Sequence, residues 1–265
     1  MNHDSWERLG EQPQPSWYLD HLVARQKRDV HLDLVRRHLG KHKPKAILKT
    51  DLFEEAFGND YFLPDLAAPG HRIYGMDESS STTRAAARRF GELVGHVAVA
   101  DARQTGWKSA SFQLVISTST LDHFATRAEF LDSLRELYRV LEADGLLILT
   151  LDNPWNPLYL PLHLLSRAGL APFFLGYTPS MPTLKADLQA LGFQLEAEDW
   201  LIHNPRLLST AVFVSLRRVF GVRADGIISL LLRVFASLGT LPTRPISACF
   251  QAVVAGKPGA LAAGR

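Results

Sequence analysis

The chain lacks most of the features that assign a protein quickly to a class. Its 265 residues include one cysteine, Cys249, so no internal disulfide can form, which fits a reducing compartment. No apolar run reaches the ~20 residues that a membrane-spanning helix needs. The first ten residues are polar and charged, which predicts that no secretory signal is present. We therefore expect a cytoplasmic protein.

Several ligand classes are also disfavoured. The formal net charge of +2 is far from the basic excess of a nucleic-acid-binding domain, so nucleic acid is not expected as a partner. No set of side chains predicts a metal site. No G-x-G-x-x-G turn follows the first predicted strand and no Tyr-x-x-x-Lys pair occurs, which argues against a nicotinamide-dependent reductase.

What the sequence does contain is an alternation of short apolar strands with helices. Each of five predicted strands is followed directly by a polar residue. Connections of helical length between them predict right-handed crossovers and a parallel sheet. These strands are 46–48, 73–76, 96–100, 112–116 and 145–151.

Helical periodicity supports the segments around these strands. Residues 18–39 and 126–141 carry apolar side chains on one face. Thr126 and Glu129 have capping-box spacing at the start of the second helix. The other predicted elements are helix 183–191, strands 193–203 and 249–255, and an apolar insertion, 205–245, with helical stretches 207–222 and 226–238.

Together these elements predict a single α/β domain. We expect a doubly wound, mainly parallel seven-stranded sheet whose last strand is antiparallel. Residues 1–45 are assigned to a polar tail and a covering helix, and residues 46–153 to the ligand-binding core. Residues 154–265 are assigned to further helices, the last two strands and the insertion.

Asp77 is the most informative residue. It follows the apolar run 73–76, so it lies at the carboxyl edge of the predicted sheet, where open α/β sheets bind ligands. A carboxylate there can accept hydrogen bonds from both hydroxyls of a ribose, which indicates a nucleoside-containing ligand. The alternative is an acid that caps the following helix. Asp101, in register after the next strand, favours the ribose interpretation.

Short sequence phrases add a second line of evidence. Residues 111–115 read S-F-Q-L-V, residues 121–124 read L-D-H-F, and residues 136–145 read E-L-Y-R-V-L-E-A-D-G. In this order and at these separations they resemble the class I S-adenosylmethionine-dependent methyltransferases, in particular the small-molecule, type 11-like branch. The resemblance extends from about residue 45 to residue 154, and implies a Rossmann-like methyltransferase fold.

The resemblance implies S-adenosylmethionine as the cofactor and methyl transfer as the reaction. Asp77 matches the family's ribose-binding acid, and Asp101 with Ala102 matches the residues beside the adenine. Glu78 and Ser117, which follow the second and fourth strands, are further cofactor-binding candidates.

The first loop departs from the family pattern. Family members have alternating glycines after the first strand, which let the backbone approach the cofactor closely. Asp51, Phe53 and Glu55 stand in their places here. One interpretation is a solvated turn with acids at a helix start; the other is a repaired site. The candidates for a repaired site are Lys49 for the methionine carboxylate, Asp51 or Glu54 for the ammonium group, and Thr50.

His123 and Asp122 are the catalytic candidates. The ordinary pKa of histidine lies near neutrality, which suits a general base that deprotonates the acceptor. The alternative is a structural role, because in-line methyl transfer can proceed by positioning alone.

The apolar character of the last third predicts the kind of acceptor. We expect a small, hydrophobic, lipid-like molecule, and peripheral contact with a membrane surface through residues 207–240, which carry arginines. The alternative for these residues is two helices buried against each other. The alternative for the whole chain is a partner protein that keeps the fold but has lost cofactor binding.

Overall fold

A seven-stranded sheet forms the centre of the protein. The computed structural model describes residues 20–39, 44–91, 96–170 and 174–259. The predicted tail, 1–15, lies outside them. The strands are β1 (Ala46–Lys49), β2 (Arg72–Asp77), β3 (His96–Val99), β4 (Phe112–Thr118), β5 (Leu141–Asp152), β6 (Gln194–Leu201) and β7 (Phe250–Gly256). Their order is β3-β2-β1-β4-β5-β7-β6.

All pairings are parallel except those of β7, which runs antiparallel to both β5 and β6. The predicted fold class is therefore confirmed. Because β6 and β5 are both antiparallel to β7, they point the same way. The chain that leaves β6 therefore emerges at the carboxyl edge of the parallel strands, where ligands bind in open α/β sheets.

Helices cover both faces of the sheet. They are α1 (His21–Leu39), α2 (Phe53–Phe57), α3 (Ser80–Phe90), α4 (Arg127–Val140), α5 (Tyr159–Arg167), α6 (Met181–Ala190), α7 (Arg206–Phe220), α8 (Ala224–Ser237) and α9 (Arg244–Ser247). One face packs against α4 and α6 through side chains that include Phe130, Leu134 and Leu184. The other face packs against α1 through Leu34 and Val35.

Predicted boundaries agree with the structure to within a few residues, with one larger difference. The capping box forms as predicted: Thr126 Oγ1 accepts a hydrogen bond from the amide of Glu129, and the Glu129 carboxylate accepts one from the amide of Thr126. Strand β5 begins at Leu141 rather than Gly145, because Leu141 pairs with Phe112 before a register shift.

Helices α7 and α8 form a hairpin inserted between β6 and β7. Phe213 of α7 packs with Ala224, Ile228 and Leu232 of α8, and this cluster contacts Leu22 of α1. The alternative of two helices buried against each other is thus correct for one face of each helix. None of the described helices is long and apolar enough to cross a membrane.

Candidate active site

A cleft opens at the carboxyl edge of the sheet, where the loops after β1, β2, β3 and β4 meet. Several predicted residues line it together: Thr50, Asp51, Asp77, Glu78, Ala102 and His123. Other predicted residues, Lys49, Glu54, Asp101, Asp122 and Ser117, are not part of its lining. The topology therefore brings about half of the predicted set to one place.

Asp77 ends β2 and holds the first loop as well as lining the cleft. Its Oδ2 accepts a hydrogen bond from the Leu52 amide (3.0 Å), and its Oδ1 accepts one from the Ser79 amide (2.8 Å). Burial outweighs these bonds and raises the pKa of Asp77 to about 6. Ser79, not Asp77, caps α3 through its hydroxyl, which accepts from the Thr82 amide. The capping alternative for Asp77 is therefore not what the structure shows.

Asp51 places a second carboxylate in the same cleft. Its Oδ1 accepts a hydrogen bond from the Phe53 amide (2.7 Å). Burial, and then the negative charge of Glu54, raise the pKa of Asp51 well above its usual range, and Asp77 adds to this effect. Two desolvated carboxylates that repel each other would be stabilised by a cation between them. A positively charged ligand bound beside these two carboxylates would favour their ionised forms.

Thr50 adds an unused polar group. Its side chain is buried, and its Oγ1 has no hydrogen-bond partner within the described structure. Buried hydroxyls are normally bonded, so an unpaired one in a cleft indicates that a ligand or water supplies its partner.

Lys49 ends β1, directly before the cleft residues Thr50 and Asp51. It is fully buried, and its Nζ donates to the Asp51 carbonyl (2.6 Å) and to Glu55 Oε2 (2.7 Å), with Glu54 Oε2 at 3.4 Å. Burial opposes its charge, but Glu55 and Glu54 outweigh burial and raise the pKa of Lys49. The ammonium group is therefore already bound by the protein itself.

Glu55 and Glu54 connect this lysine to the rest of the fold. Glu55 Oε1 accepts bonds from the amides of Phe62 (3.4 Å) and Leu63 (3.2 Å), and Lys27 of α1 lies 3.0 Å from Glu54. The segment that replaces the glycine loop is thus a buried ionic cluster and not a solvated turn. The solvated-turn interpretation is wrong for Lys49 and Glu55, because these two residues are fully buried against each other.

A glycine in the neighbouring strand makes room for this loop. A Cβ atom at Gly75 of β2 would lie 2.6 Å from a methyl group of Leu52, which is almost completely buried. Leu52 therefore packs onto the sheet where β2 has no side chain. This pairing was not predicted, although a glycine inside a predicted strand signals the close approach of another group.

Arg103 narrows the cleft on the side of β3. Its guanidinium group binds both carboxylate oxygens of Asp101, donates to Glu129 (2.7 Å), and lies 5.0 Å from the ring of Phe124. The enclosed volume is about 100 Å³, below the ~300–1,000 Å³ of typical small-molecule sites. A nucleoside ligand therefore requires side chains that line the cleft to move.

His123 lines the cleft from the turn at Leu121–His123. Its Nδ1 donates to the Phe174 carbonyl oxygen, which can only accept. Asp122 is fully buried, and its Oδ2 accepts from the Asp152 amide (2.7 Å). It ties the ends of β4 and β5 together instead of reaching the cleft. Ser117 is buried within β4.

Comparison with known proteins supports the sequence resemblance. A family profile described as Methyltransferase domain matches residues 54–149. A search of curated proteins finds no match. Among solved structures, an S-adenosylmethionine-dependent methyltransferase from Archaeoglobus fulgidus shares 16% identity and a TM-score of 0.57, over 87% of this chain and 94% of that chain.

Two further structures are similar to the same extent. A putative sarcosine dimethylglycine methyltransferase from Galdieria sulphuraria has 14% identity and a TM-score of 0.58, over 88% of this chain and 86% of that chain. The [4+2]-cyclase SpnF has 16% identity and a TM-score of 0.57, over 97% of this chain and 92% of that chain. A methyltransferase domain is thus matched over residues 54–149, and the predicted methyltransferase fold is confirmed over most of the chain.

Proposed function

We propose that the chain is an S-adenosylmethionine-dependent methyltransferase acting on a small hydrophobic acceptor. The observation that carries this proposal is the pair of desolvated carboxylates, Asp51 and Asp77, in one cleft of a methyltransferase fold. The cofactor has a sulfonium, an ammonium and a carboxylate group, so its net charge is positive. The residues present therefore fit its charge, although the volume fits only after side chains move.

Each lining residue has a proposed role. Asp77 accepts the ribose hydroxyls, Asp51 faces the ammonium group, and the Thr50 hydroxyl bonds to the same end of the ligand. His123, which lines the cleft, takes the proton from an acceptor hydroxyl or amine. The cofactor, when bound, supplies an electrophilic methyl group. The predicted contacts of Glu78, Ala102 and Asp101 remain predictions.

Lys49 and Glu54 have a different role in this proposal from the one that their sequence positions suggested. Because the protein neutralises both groups internally, we assign them to shaping the first loop and not to holding the methionine end. Asp51 retains that part. This assignment explains how a loop without glycines keeps one fixed shape beside the ligand.

The proposed acceptor class rests on the surface next to the cleft edge. Helix α5, which follows the end of β5, exposes Leu160, Leu164 and Leu165, and Leu170 beyond it is 75% exposed. Exposed aliphatic side chains in this number are unusual on a soluble monomer and mark a contact surface for apolar molecules.

The test is calorimetric titration of the full chain with S-adenosylhomocysteine, the product form of the cofactor. We expect micromolar binding. Asp77→Ala should weaken it by about 1–3 kcal/mol, because charge-assisted hydrogen bonds are lost. Asp132→Ala, which removes an exposed carboxylate from α4, is the matched control and should bind like the wild type. Equal affinity of a folded Asp77→Ala variant would contradict the proposal.

A second candidate function is a partner protein of methyltransferase fold without catalysis. The small volume of the cleft and the bridging position of Arg103 favour it. The same titration separates the two candidates, since this one predicts no binding up to millimolar ligand.

A further inference from the structure

The α7–α8 hairpin exposes an apolar surface that no described part of the chain covers. We call it the outer face. Val222, at the turn between the helices, is 83% exposed, and Val219 is 72% exposed. The other members are about half exposed: Leu208, Val212, Leu230 and Val234. An exposed aliphatic surface of this extent marks an interaction site.

The spacing of these residues makes the outer face continuous along each helix. Leu208, Val212 and Val219 are separated by four and seven positions, so they lie on one side of α7. Leu230 and Val234 repeat this spacing on α8. A surface helix usually carries polar side chains opposite its buried stripe. Here both sides are apolar, and packing inside the chain explains only the side with Phe213, Ile228 and Leu232.

The hairpin is also basic. The segment from α7 to α9 contains six arginines, no lysine and one acid, Asp225, which pairs with Arg217. Arg218, Arg223 and Arg233 are exposed, and in the described part of the chain none of them lies within an ion-pair distance of a carboxylate. Their positive charge flanks the apolar residues of the outer face.

We propose that the outer face docks on an anionic lipid bilayer. Val219 and Val222 enter the boundary of the acyl chains, and Arg218 and Arg223 meet the lipid phosphates. A second copy of the chain fits less well, because a two-fold contact would bring the same unpaired arginines together. Nucleic acid fits less well because aliphatic side chains offer no stacking surface.

The position of the hairpin gives this docking a consequence for the cleft. The insertion leaves the sheet after β6, at the same carboxyl edge that carries Asp51 and Asp77. A docked hairpin therefore attaches that edge to the membrane. An apolar acceptor would then be drawn from the lipid phase rather than from water.

The experiment is flotation of the full chain with vesicles of phosphatidylcholine alone or mixed with phosphatidylglycerol. We expect recovery with the anionic vesicles, decreasing as salt is added. The double variant Arg218→Gln, Arg223→Gln should bind about 30-fold more weakly, since each arginine near an anionic surface contributes about 1 kcal/mol. Val222→Asp should bind at least about tenfold more weakly.

Val99→Asp is the matched control. Val99 is 54% exposed on β3, at the opposite end of the sheet order from β6, so this variant should float like the wild type. Because Val222 is exposed, Val222→Asp should keep its circular dichroism spectrum. Failure of the folded wild type to bind either vesicle would overturn the proposal, as would equal recovery of Val222→Asp. A dimer in light scattering that Val222→Asp dissociates, without vesicle binding, would show that a second copy covers the face instead.

Discussion

Removing the charge of Lys49 should destabilise the protein far more than removing both members of its buried pair. Lys49→Met leaves the fully buried Glu55 without its cation, and breaking a buried ion pair typically costs about 3–5 kcal/mol. Adding Glu55→Gln removes the uncompensated charge, and the glutamine oxygen can still accept from the amides of Phe62 and Leu63. We expect the double variant to recover about 2 kcal/mol of the loss.

The assay is urea unfolding followed by far-ultraviolet circular dichroism, for the wild type, both single variants and the double variant. The exposed pair Lys185–Glu198 provides the control, because Lys185→Met should cost less than about 1 kcal/mol. The reasoning fails if Lys49→Met costs no more than Lys185→Met. It also fails if the costs of the two buried substitutions simply add, since the charges would then not be coupled.

Three further predictions concern backbone space and acidity. Gly176→Ala should lower the free energy of unfolding by about 1–3 kcal/mol or more, because the added Cβ would lie 1.9 Å from the carbonyl oxygen of Phe124. Gly226→Ala, which has open space around it in α8, should raise the free energy of unfolding by about 0.5–1 kcal/mol. Thermal unfolding of both variants measures these changes. Arg139 lowers the pKa of Glu136 from 4.5 to about 2. The wild type should therefore be more stable than Glu136→Gln above pH 4.5, and this difference in stability should disappear as the pH falls toward 2. A difference that stays constant with pH would contradict this. Burial raises the pKa of Asp77 to about 6, and the ionised carboxylate is the group that accepts hydrogen bonds from the ligand. The affinity for S-adenosylhomocysteine, measured by calorimetry, should therefore be about tenfold lower at pH 5 than at pH 8. In Asp77→Asn the affinity should no longer depend on pH in this range.

The sequence was sufficient to predict the sheet because local signals and tertiary structure agree there. Apolar runs of strand length, polar residues at their ends and the Thr126 capping box each indicate the elements that form. The carboxyl edge follows from parallel topology, so the sequence alone predicts that Asp51, Asp77 and His123 lie near each other.

The rest of the site depends on distances that periodicity does not encode. The position of Lys49 in the first loop predicts a contact with the methionine carboxylate of the cofactor, and only the fold shows that Glu55 faces it. The contact between Leu52 and Gly75 joins residues 23 positions apart. The link from Arg103 to Glu129 crosses from one loop to another helix. Each is a tertiary contact between side chains that no short window of sequence contains.

The interlocked first loop limits how the chain could be re-engineered. Replacing Glu55 alone by glycine would remove the nearest carboxylate from the buried ammonium group of Lys49. Replacing Lys49 alone by an acid would place a third carboxylate beside Glu54 and Glu55. Each of these two single exchanges toward the ordinary loop thus gives an unstable intermediate. Grafting a segment such as 49–55 from a relative would have to be done as one block, because Lys49 is paired with both Glu54 and Glu55.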